Sequence, residues 1–151
     1  MKRITATAVL LAAFAAGCGG DDDEALSKPE YVKQANAICE RFNKQVEAEA
    51  EKTLAGVERE EDLTPEKARA FMEATLPKFE STVEDLKALE APEGDQEAVD
   101  KIYAAADKES AVIADSMDGD DEVVQLVLSS AVTPEFEKQS KAYGLETCAS
   151  D

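Results

Sequence analysis

The chain has 151 residues, with 34 acidic and 16 basic side chains, a formal net charge of −18, and neither histidine nor tryptophan. So acidic a surface repels nucleic acid and anionic lipid headgroups, and the missing histidine removes His-based catalytic triads and the common zinc sites. Many alanines, glutamates and lysines beside few aromatic residues describe a helix-rich domain.

The first element is an address. Met1-Lys2-Arg3 precedes a run that is apolar from Ile4 to Ala16 except for Thr5 and Thr7. A positive start, an apolar stretch of this length and small residues after it form a secretory signal. The run is shorter than the roughly 20 apolar residues of a membrane span. Ala15-Ala16-Gly17-Cys18 resembles the lipobox of bacterial prolipoproteins, with Ala15 where leucine is commonest. The resemblance implies that Cys18 is lipidated and that residues 1–17 are then removed. An ordinary signal peptide with a stray cysteine is the rival reading. Residues 18–26 contain Gly19-Gly20-Asp21-Asp22-Asp23-Glu24, a flexible, self-repelling acidic tether. Residues 27–151 are then the folded domain.

Within that domain, Ser27 and Glu30 have capping-box spacing, with Pro29 in the first turn. Tyr31, Ala35, Ile38, Cys39, Phe42, Val46, Ala50, Leu54 and Val57 recur at three- and four-residue steps, which predicts a long amphipathic helix over about 29–57. Thr64-Pro65-Glu66 starts a second helix. Its stripe is Ala68, Phe71, Met72, Thr75, Phe79, Val83, Leu86 and Leu89, with a kink expected at Pro77. Ala91-Pro92-Glu93-Gly94 ends it. A third helix begins at Asp95, with Val99, Ile102, Tyr103, Ala106, Ser110, Ile113 and Met117 on one face, and breaks at Asp118-Gly119-Asp120-Asp121. Val123 to Leu128 is apolar nearly all round. It reads as a short buried helix, since a strand there has no evident partner. Thr133-Pro134-Glu135 opens the last helix, which runs to Tyr143 and stops at Gly144 with Leu145 behind it. The expected architecture is all-α: an antiparallel up-down bundle of about four helices, one kinked at Pro77, with a C-terminal tail pinned by a disulfide.

Two cysteines remain besides Cys18. In an exported chain Cys39 and Cys148 read as a disulfide, against two buried free thiols or a redox pair. Neither lies in a Cys-x-x-Cys motif. Ala37-Ile38-Cys39 and Tyr143-Gly144-Leu145-x-x-Cys148 resemble small secreted or lipid-anchored helical proteins of actinobacteria. That likeness implies an extracytoplasmic helical domain with a terminal disulfide, and no activity.

The remaining motifs carry little chemistry. An EF-hand loop with Gly119 at its sixth position puts Ala114 first and Gln125 twelfth, so both required carboxylates are missing. Irregular cation binding by Asp118, Asp120 and Asp121 is the residual reading, against simple helix punctuation. Glu109 falls at the edge of an apolar stripe. Tyr31, Tyr103 and Tyr143 have core-type spacing, and Ser129 and Ser130 lack a candidate base. With no catalytic set and no cofactor motif, the expectation is a non-enzymatic module. It would be held at the membrane through Cys18 and would engage an envelope protein or a cationic peptide, with no nucleic-acid partner. A carrier of a small ligand or cation at the outer membrane face is the alternative.

Overall fold

The computed structural model describes residues 26–59, 62–121, 124 and 134–149. The elements with bounds among the described residues are four helices, α1 (Lys28–Thr53), α2 (Pro65–Lys87), α3 (Gln96–Met117) and α4 (Pro134–Tyr143), and no strand occurs among those residues. Each helix packs against the next in the chain, which gives the expected all-α bundle. No helix among the described residues is long and apolar enough to cross a membrane.

Local sequence accounts for most helix ends. The Glu30 carboxylate reaches back to the Ser27 backbone N–H at 3.3 Å, closing the first turn of α1. The Thr64 hydroxyl accepts from Lys67 N–H at the start of α2. α4 ends in a Schellman motif. Gly144 adopts φ +101°, its N–H bonds the Lys141 carbonyl, and Leu145 N–H reaches the Ser140 carbonyl at 2.8 Å. Leu145 follows into the core. α1 is shorter than its apolar periodicity suggests. It stops at Thr53, because Gly56 turns the backbone to φ +78° and Val57 N–H folds back onto the Leu54 carbonyl. Val57 is therefore a loop residue. α2 continues as one helix through Pro77, whose ring lies on the exposed side. In the turn before it, the Thr75 hydroxyl bonds the Phe71 carbonyl and the Lys78 ammonium the Ala74 carbonyl. Most of the segment expected to form a helix over Val123 to Leu128 lies outside the described residues. Val124, the part described, is helical and fully buried.

The core has two parts. The larger is built on Tyr31, Ala35, Phe79, Leu86, Val99, Ile102 and Leu145 and joins all four helices. The smaller packs Ala68, Met72 and Val124 with Ile113 and Met117 at the far end of α2 and α3. Phe71, Thr75 and Leu76 occupy the stretch of α2 between the two, and there the packing opens into a cavity.

Candidate functional site: an apolar cavity beside the disulfide

Cys39 and Cys148 are joined, with their Cα atoms 5.0 Å apart. The bond fastens the tail that follows α4 to the middle of α1. It does not act alone. Asn36 accepts from Thr147 N–H at 3.0 Å, and the Asn43 amide donates to the Thr147 carbonyl at 3.0 Å. Asn36, Cys39 and Asn43 stand three and four residues apart, so they share one face of α1. Two asparagines inside a long helix are the sequence signal for this clamp, since asparagine is a poor helix-interior residue without a backbone partner to hold.

The disulfide forms one wall of a cavity of about 270 Å³ between the four helices. Phe42, Phe79 and Phe136 supply aromatic surface, with ring centroids 5.6 Å apart for Phe42–Phe79 and 5.7 Å for Phe79–Phe136. Three of the polar residues in the wall are turned to backbone. Thr75 bonds the Phe71 carbonyl, Thr82 bonds the Lys78 carbonyl at 2.7 Å, and Asn43 holds the tail. The wall is therefore drier than its composition suggests. Among the described lining residues the charged members are two carboxylates, Glu109 from α3 and Glu137 from α4, both partly buried. No lysine or arginine is among the described lining residues. Glu109 was legible as an edge residue. Glu137 was not, because only the packing of α4 brings it to the same cavity.

The tyrosines converge elsewhere, at the end of the bundle where α1 begins. The Tyr31 and Tyr103 hydroxyls are 2.8 Å apart, and the Tyr103 hydroxyl also donates to the Leu86 carbonyl. The Tyr31 and Tyr143 rings meet edge to face at 5.8 Å. The Tyr143 hydroxyl donates to Asp95 at 2.8 Å, and Lys28 lies 3.2 Å from the same carboxylate and 4.1 Å above the Tyr143 ring. Burial pushes all three phenols above their ordinary range. The Tyr143 hydroxyl and then Lys28 hold Asp95 below the usual carboxylate range. Every hydroxyl in this cluster has a partner within it, so it is packing with satisfied polar tips rather than a ligand cage.

The acidic break after α3 also has an occupant. Arg69 of α2 donates to the carbonyls of Met117 and Gly119 and lies 3.3 Å from Asp121. A guanidinium thus occupies two backbone oxygens and one of the three carboxylates at this break. No group of three or more potential metal ligands occurs among the described residues. Cys18, Ser129 and Ser130 lie outside the described residues.

Comparison with known families, curated proteins and solved structures returns no match to this chain.

Proposed function

We propose that this chain is a lipid-anchored, extracytoplasmic binding module without catalytic activity, tethered through Cys18, whose helical body receives an apolar group in the cavity beside the disulfide. The cavity is the observation that carries the reading: about 270 Å³ of apolar space between helices, close to the lower size of small-molecule sites. The address rests on the basic start, the apolar run and the small residues before Cys18. A Cys39–Cys148 bond suits an oxidising compartment. The cavity favours a small ligand over a broad docking face, which spreads over roughly 800 Å² per partner. An envelope protein or cationic peptide inserting one side chain is the second reading, supported by the acidic surface.

Two measurements test the two halves. Mass spectrometry of the protein from its native membrane is expected to give an N-terminus at Cys18 with added acyl mass; an unmodified Met1 end refutes the anchor. Titration of the purified domain with 1-methylnaphthalene is expected to give saturable one-to-one binding, readable because the chain has no tryptophan. Val46→Phe puts a ring into the cavity wall and is expected to abolish it. Equal binding by that variant, or no binding by either protein, refutes the cavity as a site.

A further inference from the structure

We infer that the occupant of this cavity is a small cationic amphiphile: an aromatic or branched apolar body carrying one protonated amine. The inference rests on the binding-module reading above and adds the chemistry of the ligand. Three observations lead to it. The first is size. An apolar cavity of about 150 Å³ accepts a benzene, so about 270 Å³ accepts a fused bicycle or a branched alkyl group of similar bulk.

The second is the wall. Phe42, Phe79 and Phe136 present ring faces and edges, and the hydroxyls of Thr75 and Thr82 are spent on helix carbonyls. A hydroxyl-rich ligand such as a sugar would find few partners there. Burying unpaired ligand hydroxyls is unfavourable.

The third is charge. Among the described lining residues the ionisable side chains are Glu109 and Glu137, both acids, and none is basic. A fatty-acid carboxylate would meet like charge, with no basic side chain among the described lining residues. An ammonium group seated between the carboxylates, with its apolar body against the rings, meets both features at once, and a cation also gains from aromatic faces. The net charge of −18 works in the same direction, concentrating cations near the opening.

The test uses three probes with one ring system: 1-naphthylmethylamine, 1-methylnaphthalene and 1-naphthaleneacetate. Binding to the purified domain is followed by naphthalene fluorescence at low salt. The amine is expected to bind about threefold to fivefold more tightly than the neutral probe, the preference given by one partly exposed ion pair. The acetate is expected to bind more weakly than either. In Glu109→Gln and Glu137→Gln the ratio of amine affinity to 1-methylnaphthalene affinity, both measured on the same variant, is expected to fall toward one. Glu137 also lies in the first turn of α4, where an acid complements the helix dipole. The neutral probe therefore controls for any general loss of structure.

Acetate binding equal to amine binding overturns the charge assignment and leaves the cavity reading standing, because the neutral probe still binds. Failure of all three probes overturns both. Tight binding of Lys-Phe-Lys-amide with no binding of the naphthyl amine transfers the site to a peptide side chain and also overturns the inference.

Discussion

The hydroxyl chain in the tyrosine cluster has a direction, and the direction makes a quantitative prediction. Tyr103 has one hydroxyl hydrogen, and it goes to the Leu86 carbonyl. The bond between the two phenols must then be donated by Tyr31, which is fully buried. Tyr31→Phe removes the donor at the far end of the chain. Tyr103 keeps its own bond and loses only an accepted one, so the expected cost is the net value of a single hydrogen bond, about 1 kcal/mol. Tyr103→Phe strands the Tyr31 hydroxyl in the core. Its cost includes the desolvation of that group, about 2–3 kcal/mol in total. Leu86 is less affected, because its carbonyl still accepts from Leu89 N–H at 3.1 Å. The double variant leaves no stranded hydroxyl and is expected to be no less stable than Tyr103→Phe alone, so the pair is non-additive. Urea unfolding followed by far-ultraviolet circular dichroism measures all three. A Tyr31→Phe penalty equal to or above that of Tyr103→Phe would refute the direction assigned here.

Three further outcomes are expected. Reducing Cys39–Cys148 opens a loop with a sequence separation of 109 and should lower stability by up to about 5 kcal/mol in the chain-entropy model; a urea midpoint unchanged on reduction would contradict the clamp. The three phenols are raised above an unfolded value of about 10, so the stability they contribute is complete below that pH and falls as pH rises through and beyond it. Tyrosinate absorbance should appear together with loss of helical dichroism, and full ionisation of a still-helical protein would count against the cluster. Gly144→Ala forces a side chain into the left-handed region at φ +101° and should cost about 1 kcal/mol or more, read from the melting temperature.

Helix existence and most boundaries were legible because they rest on local chemistry: Ser27 with Glu30, Thr64 before Pro65, and Gly144 before Leu145. The α1 terminus was misjudged where apolar spacing continued past a glycine. Leu54 and Val57 kept the rhythm, but Gly56 with positive φ had already turned the chain. The buried stripe of α2 also differs in detail from its periodicity. Phe71 and Thr75 are only partly buried, whereas Leu76 and Thr82, which line the same cavity, are buried. Thr82 tolerates this because its hydroxyl is satisfied by the Lys78 carbonyl. What stayed hidden depends on partners far away in sequence. Arg69 capping the end of α3, and Glu137 lining the same cavity as Glu109, follow from tertiary packing, which one-dimensional spacing does not encode.

One face of α1 links these features. Tyr31 begins the hydroxyl chain, Asn36, Cys39 and Asn43 hold the tail, and Phe42 and Val46 line the cavity. From Asn36 to Val46 the steps are those of a single helical stripe, so the clamp and the cavity wall share one rigid face. This explains why polar residues occupy the stripe at all. α4 has only 10 residues, too few to hold the chain end by helix packing alone. Asparagines directed at tail backbone, with a covalent bond between them, fix Cys148 against α1, where it forms part of the cavity wall.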